Sequence, residues 1–355
     1  MTVLQVCAYA APYEGNFIKS LKSLGEELSL RGHKMIYAFP KNARNIDWCK
    51  KLSEETDVYF LPLAKARIKL STYSALKSIY KNHKDLEIIH SHFELYDVPV
   101  SITAPKGVKV FWHLHDALEM YSSFKHRMVH KVQYGMLNGT ATLLSVSKKH
   151  MNYVLKCGFQ KERAKYIPNG LDLERIKKSS TPTENRKYDF TIFGWEYERK
   201  GVDLAIKAAL ATKREMKIAV VGNEDTTGII QEQFGKVDVV EVIEPVRDIN
   251  ELYKDTKCFL HISRAEGLSY ALLEAVYAGL PVICSDIDEN KFAQVFPTVI
   301  MTEKENTNSI AEAMMNQLEC CDVDEQKVNV SREIIEQEYS ISCWVRNILE
   351  QYEVE

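Results

Sequence analysis

Short runs of β-branched and aliphatic residues alternate with longer amphipathic stretches along all 355 residues. In the first half such runs predict strands near 2–8, 33–39, 57–61, 86–91, 108–113, 141–146 and 164–167. Helical patterns lie between them. The one at 16–31 stops at Gly32, which enters the left-handed region without penalty and so ends helices well. Strands alternating with helices in this way predict a parallel sheet covered on both faces. The pattern breaks at 168–187, where Pro168-Asn169-Gly170 and the polar stretch from Lys177 to Asn185 predict a domain boundary. A second series follows, with strands near 188–193, 216–221, 237–242, 257–262, 280–284 and 298–301. A last helix is predicted over roughly 329–352, carrying Ile334, Ile335, Trp344, Ile348 and Leu349. The expected fold class is therefore α/β, with Rossmann-like parallel-sheet domains over 1–175 and 176–328 and a C-terminal helix over 329–355. In such folds ligands bind beyond the C-terminal ends of the strands, here in a cleft between two domains.

Charge sharpens this picture. Residues 1–180 carry 28 Lys+Arg against 16 Asp+Glu, a net +12, whereas 181–355 carry 18 against 33, a net −15. The asymmetry suggests that one half meets an anionic partner. A hydrophobic content of 45% with 15 Gly and 10 Pro belongs to a folded chain, not a disordered one. Cys7, Cys258 and Cys284 sit in apolar strand-like runs and no C-x-x-C occurs, so the eight cysteines read as reduced. The adjacent Cys320 and Cys321 have poor geometry for a mutual disulfide. The start lacks a basic n-region and a long apolar core, and no run approaches 18 apolar residues. A cytoplasmic or peripheral protein is expected.

The most informative stretch runs from Glu266 through Gly267, Leu268, Ser269 and Glu274 to Gly279-Leu280-Pro281. A predicted strand, Cys258 to Ile262, leads through Ser263–Gly267 into a helix starting near Ser269. The N–H groups of that helix start are open to an anion. Taken alone, Glu266 reads as a capping residue and Glu274 as a surface charge. Their context differs. The stretch resembles glycosyltransferase family four, a retaining family of the GT-B fold whose hallmark is two glutamates in an E-G-F-G-x-x-x-x-E setting. Glu266, Gly267 and Glu274 match it; Ser269 replaces the second glycine. Leu252 to Asp255 and Gly279 to Asp286 resemble the family's flanking segments. The resemblance implies that Glu274 binds ribose hydroxyls and Glu266 donor-sugar hydroxyls. The backbone of Gly267, Leu268 and Ser269 would approach the sugar and diphosphate.

A second stretch, Phe193-Gly194-Trp195 through Arg199-Lys200-Gly201, reads alone as a solvated loop. It resembles the family's G-R-x-x-x-x-K-G diphosphate clamp. Glycine after a strand lets phosphate approach the backbone, and Arg199 and Lys200 supply a fork and a point charge. Trp195 stands where the clamp's arginine is expected, so one contact is absent or passes to Arg199. Ser145-Val146-Ser147 and Ile167 to Asp172 resemble family signatures with a structural role. Val220-Val221-Gly222 resembles its V-G-x-G strand end, and Val246 would line the base pocket. In the first half, Gly15 follows the first strand and Asn16 opens a helix; the family has a glycine here facing the donor phosphate, although the usual double glycine is missing.

Histidines cluster at His90-Ser91-His92 and His113-Leu114-His115-Asp116, where alternation puts each pair on one strand face. Two such pairs could hold a metal. Cysteine partners are lacking, and hydrogen-bonded strand-end histidines fit better, so no metal is expected. The resemblance implies that His115 contacts the transferred sugar or positions the acceptor hydroxyl, with Asp116 orienting it. Asp286-Ile287-Asp288 mimics a metal-binding D-x-D but reads as loop and capping chemistry. Lys65 to Leu70 and Lys125 to Lys131 mix basic with apolar residues, either as a solvated surface or as a face for anionic lipid. No nucleic-acid recognition motif occurs.

The implied reaction is transfer of a hexose-type sugar, with retention, from a nucleoside-diphosphate donor, UDP-sugar favoured. The acceptor would be a lipid-linked or saccharide molecule of cell-envelope or polysaccharide synthesis. No cofactor is expected, since Arg199, Lys200 and backbone N–H groups would steady the leaving diphosphate. The final helix, with Trp344, would return to the first domain. Rival readings are a nucleotide-sugar epimerase of the same fold and a non-catalytic transferase-like partner subunit. A dehydrogenase is excluded, because no G-x-G-x-x-G follows either first strand.

Overall fold

The computed structural model describes residues 1–115, 123–137, 139–179, 181–319 and 324–354. It divides into two compact units, Met1–Gly170 with Ile341–Glu355, and Leu171–Ser340.

The first unit contains strands β1 (Thr2–Cys7), β2 (Lys34–Pro40), β3 (Val58–Leu61), β4 (Leu86–His92), β5 (Lys109–Leu114), β6 (Thr142–Ser145) and β7 (Ala164–Tyr166). All pair in parallel, in the order β3-β2-β1-β4-β5-β6-β7. Every residue of β1 is buried, as a sheet covered on both faces requires. Helices α1 (Gly15–Leu30), α2 (Asp47–Glu55), α3 (Leu70–Asn82), α4 (Asp97–Thr103), α5 (Phe124–Met136) and α6 (Lys148–Lys156) supply the cover. One core joins Ile18, Leu21 and Leu24 of α1 to Trp344, Ile348 and Tyr352 near the C-terminus. The other joins Leu76, Val100, Tyr134 and Val154 to the opposite sheet face.

The second unit repeats the plan with β8 (Tyr188–Phe193), β9 (Ile218–Val221), β10 (Val240–Ile243), β11 (Thr256–His261), β12 (Val282–Ser285) and β13 (Val299–Thr302). Their order is β10-β9-β8-β11-β12-β13, again all parallel. Its helices are α7 (Tyr197–Lys200), α8 (Val202–Thr212), α9 (Glu224–Phe234), α10 (Ile249–Lys254), α11 (Tyr270–Tyr277), α12 (Thr307–Glu319) and α13 (Glu325–Glu338). In both sheets the strand order reverses beside the first strand, which is where doubly wound sheets open a ligand crevice.

The helix expected over 329–352 is two helices, α13 and α14 (Ile341–Tyr352). Tertiary structure breaks it. Leu171 N–H donates to the Tyr339 carbonyl at 2.6 Å, and Leu171 pairs with Ser340 in an isolated parallel bridge. α13 stays with the second unit, where the Tyr277 hydroxyl donates to Glu336 Oε1 at 3.0 Å. α14 belongs to the first. Its Trp344 packs at Gly170, where an added Cβ would lie 2.9 Å from Ile341 Cα and Trp344 Cβ. The described cysteines Cys7, Cys49, Cys157, Cys258, Cys284 and Cys343 are free and buried. Among the described residues no helix is long and apolar enough to cross a membrane.

Candidate active site

In the second unit, the exits of β8 and β11 lie side by side at the point of strand-order reversal. The β8 exit runs through Gly194 and Glu196 into α7 and α8; the β11 exit runs through Ser263–Ser269 into α11. Gly201 joins α7 to α8 at φ +74°, and a Cβ there would sit 2.3 Å from the Ile262 carbonyl oxygen. Only glycine lets the two exits approach so closely. Arg264 fastens them together. Its guanidinium donates to both Asp203 oxygens at 2.8 and 2.9 Å, and its N–H donates to the Arg199 carbonyl at 2.8 Å. Ser285 Oγ donates to the Ser263 carbonyl at 2.6 Å and holds the loop from below.

This frame brings Glu266, Lys200 and Arg199 together. Lys200 Nζ donates to Glu266 Oε1 at 2.7 Å, and Arg199 Nη1 lies 3.0 Å from Oε2. Arg199 also donates to the Ala265 carbonyl at 3.0 Å and pairs with Glu196. Glu266 and Lys200 are both buried. Burial alone would raise the Glu266 carboxyl, but Lys200, His261 and Arg199 outweigh it and hold the group at about 2. His261 Nε2 lies 3.9 Å from Glu266 Oε1. Its burial pushes that imidazole down to about 4, so it is neutral at neutral pH.

Ser269 caps α11, its Oγ accepting from Leu272 N–H at 3.4 Å. Among the described residues, the N–H groups of Gly267, Leu268 and Ser269 have no acceptor. Three donors beside two cations at a helix start form a site suited to an anion. Further along α11, Glu274 is buried and pairs with Arg175. Neither glutamate is the surface or capping group that its isolated residue type suggests.

Gly194, expected to let phosphate approach, and Gly222, expected at the nucleotide-sugar site as a strand-end glycine, are both engaged within the sheet. Gly194 N–H donates to the Val221 carbonyl at 2.7 Å, and Gly222 N–H to the Ile243 carbonyl at 2.9 Å. Both donors are therefore spent within the sheet. A Cβ at Gly194 would lie 2.8 Å from Val220 Cγ1, and one at Gly222 2.5 Å from Thr226 Oγ1. These glycines serve close packing of β8, β9 and α9. Trp195 is half exposed and stacks on Phe193 with ring centroids 4.5 Å apart. Val246 sits in an exposed loop after β10.

In the first unit, Gly15 takes φ +60°, a conformation that favours glycine, where the β1 exit enters α1. His115 follows β5. Its Nε2 meets His92 Nδ1 at 3.0 Å and its Nδ1 meets Asn169 Oδ1 at 3.1 Å. Phe93 and Phe17 flank the ring at 4.6 and 5.3 Å between centroids. Burial lowers His115 to about 4, so it too is neutral. The chain of bonds continues from His92 Nε2 to Gln5 Oε1 at 2.8 Å, then from Gln5 Nε2 and His90 Nδ1 to the Tyr352 hydroxyl at 3.0 and 2.6 Å. His90, His92 and His113 bring ring nitrogens within 4.8 Å of one another. His92 has both nitrogens engaged, which leaves fewer ligands than the four a structural zinc takes. Asp116 lies outside the described residues.

Comparison with known proteins agrees with this architecture. The family model described as Glycosyl transferases group 1 matches residues 188–320, and that described as Glycosyltransferase Family 4 matches residues 19–175. The chain belongs to the family-four type of GT-B glycosyltransferases. An uncharacterized glycosyltransferase of Methanocaldococcus jannaschii is 21% identical over 256 residues, covering 66% of this chain. The lipopolysaccharide glucosyltransferase WaaG of Escherichia coli is 28% identical over 127 residues, or 34% of this chain. The chain spans 63% and 33% of the lengths of these two curated relatives. Among solved structures, a glycosyltransferase from Rickettsia africae superposes with a TM-score of 0.82 at 14% identity, covering 99% of this chain and 97% of its own. Anabaena HepE in complex with UDP gives 0.79 at 16% identity, covering 99% and 100%. These likenesses establish the GT-B fold.

Within the family frame, sequence reasoning missed two residues. Arg175, the partner of Glu274, lies just past the Ile167–Asp172 turn and carried no motif signal. His261 sat unremarked at the end of the strand before Glu266. Its one signal was a histidine among apolar residues.

Proposed function

We propose that this chain transfers a hexose-type sugar from a nucleoside-diphosphate donor, UDP-sugar favoured, to a lipid-linked or free saccharide, with retention at the anomeric carbon. One observation carries the reading. A buried carboxylate, Glu266, is gripped by Lys200 and Arg199 beside three N–H groups without acceptors at the start of α11. The N–H row and the two cations take the diphosphate, while Glu266 accepts from sugar hydroxyls and Glu274 from the ribose. As the bond from the anomeric carbon to the diphosphate oxygen breaks, charge develops on that oxygen, and the cations and N–H groups stabilise it. The acceptor oxygen forms the new bond on the same face and gives its proton to the departing phosphate oxygen. Neutral His115 orients a sugar or acceptor hydroxyl. A lipid-linked acceptor would be met at the inner face of a membrane, by a cytoplasmic enzyme. The structural relation to HepE in complex with UDP-glucose and to WaaG, involved in lipopolysaccharide biosynthesis, supports a UDP donor and a cell-envelope acceptor.

Thermal shift against UDP, GDP and their sugars at millimolar concentration tests the donor. One nucleotide series should raise the melting temperature, since stabilisation grows with ligand over affinity. Glu274→Ala should remove that shift and abolish UDP release. No shift with any nucleotide sinks the proposal. UDP-sugar isomerised without release of UDP points to an epimerase instead.

A further inference from the structure

The first unit has a face that none of this chemistry uses. Segments 58–84 and 123–137 together hold nine Lys and Arg and no Asp or Glu. Helix α5 turns its polar and aromatic residues His130, Gln133 and Tyr134 inward. Its apolar residues point out: Phe124 is 76% exposed, Met128 48%, Val132 54% and Met136 77%. Spaced four apart, they make a stripe along one side of the helix. Lys125, Arg127 and Lys131 are exposed on the same helix. At the entry to α3, Ile68 and Leu70 are 77% and 84% exposed beside exposed Lys65 and Lys69.

Glu94 pins the two segments together. Its carboxylate meets Arg67 Nη2 at 3.0 Å, His130 Nε2 at 3.4 Å and the Tyr134 hydroxyl at 3.4 Å. Glu94 holds φ +59°, a strained value for a side chain of this kind, and the three partners keep it there. Its charge is consumed by these contacts, so it does not offset the surrounding lysines. Apolar side chains set among uncompensated basic ones match an interface of acyl chains and anionic headgroups better than they match water.

We propose that α5 and the 63–70 segment form a docking face for an anionic lipid surface. Side chains from Phe124 to Met136, with Ile68 and Leu70, enter the headgroup boundary, and Lys65, Lys69, Lys125, Arg127 and Lys131 meet the lipid phosphates. The claim stands apart from the transferase reading, since no residue of the candidate active site takes part.

Sedimentation of the full chain with vesicles tests it. The protein should bind vesicles of phosphatidylcholine mixed with phosphatidylglycerol, bind phosphatidylcholine alone weakly, and release at high salt. Lys125→Glu/Arg127→Glu/Lys131→Glu should weaken binding about a hundredfold, at roughly fivefold per basic residue. Phe124→Ser/Met128→Ser/Val132→Ser should weaken it about tenfold or more. Circular dichroism should be unchanged in both variants, because every altered side chain is exposed. Equal binding to neutral and anionic vesicles, no binding to either, or wild-type binding by both variants overturns the proposal. So does a solution dimer that the serine variant dissolves, which would make a second copy the occupant. Sugar transfer to a soluble acceptor should be the same in both variants as in wild type. If the chain shows no transfer yet still docks, the transferase reading fails and this one stands.

Discussion

Replacing Glu266 with glutamine keeps the shape of the side chain and removes its charge. The native carboxyl is held at about 2, against an ordinary value of 4.5. That difference corresponds to on the order of 3 kcal/mol of native-state stabilisation at neutral pH. Because the folded value is depressed, the contribution is complete above the unfolded value and is lost as pH falls toward 2. Roughly 1 kcal/mol of it disappears between pH 7 and pH 4. The variant also leaves buried Lys200 and half-buried Arg199 facing an uncharged amide, and removing one partner of a buried pair costs about 3–5 kcal/mol. Urea unfolding followed by circular dichroism at pH 7 and pH 4 measures both effects. The second unit should unfold at lower urea in Glu266→Gln, and the gap from wild type should narrow at the lower pH. Lys200→Met/Glu266→Gln should lose less than the sum of the single variants, since the lone buried charge goes with its partner. UDP should bind Glu266→Gln at least as well as wild type, because Lys200 is released, while sugar transfer falls. An unchanged urea midpoint at pH 7, or an equal gap at both pH values, would refute the ion-pair account of this carboxylate.

Four other outcomes follow from the geometry. Gly201→Ala must hold an alanine at φ +74° with its Cβ 2.3 Å from the Ile262 oxygen, so calorimetry should show a loss of about 3 kcal/mol or more. Asp97 is fully buried and burial raises its carboxyl to about 7; with the folded value raised, stability falls as pH climbs from about 4 through 7. Asp97→Asn should remove that fall and be more stable than wild type at pH 8, by on the order of 4 kcal/mol in urea titration. His115, held near 4, is neutral across the working range, so kcat should show no step between pH 5 and 8 that His115→Gln removes, while His115→Phe should lower kcat about a hundredfold. Arg175→Ala should change the Kd for UDP in fluorescence titration without affecting that of free sugar, because Arg175 holds the carboxylate proposed to take the ribose.

Much of the fold is legible because buried parallel strands read as unbroken apolar runs. All thirteen strands appear where the pattern predicts them, with edges differing by a few residues. The helix break at Tyr339 and Ser340 was not legible, since it follows from pairing with Leu171 far upstream. The glutamates were visible only through their resemblance to a family; as single residues they read as ordinary surface acids. What sets their surroundings lies at long range. Arg175 is 99 residues from Glu274, and Tyr352 closes a hydrogen-bonded chain with Gln5 347 residues away. Nor does glycine announce its purpose. Gly194 looks like a phosphate-approach position and Gly222 like a strand-end glycine of the nucleotide site, yet the atoms nearest their missing Cβ belong to Val220 and Thr226.

Each carboxylate of the site is already held by cations of the same unit: Glu266 by Lys200 and Arg199, Glu274 by Arg175. Glu196 also pairs with Arg199, so three positive groups face three negative ones, and the row of N–H groups at α11 adds to the positive side. A neutral sugar entering such a site would exchange one set of hydrogen bonds for another and gain little. A diphosphate is different, because it can accept from the N–H row and lets buried Lys200 turn from its internal partner without being left alone. Under the proposed function, selectivity for an activated sugar over a free one would rest on these charged contacts, and selectivity among activated sugars on which hydroxyls reach the carboxylates the cations release. The internal pairs also keep the cations in position before any ligand arrives, which lowers the ordering needed on binding.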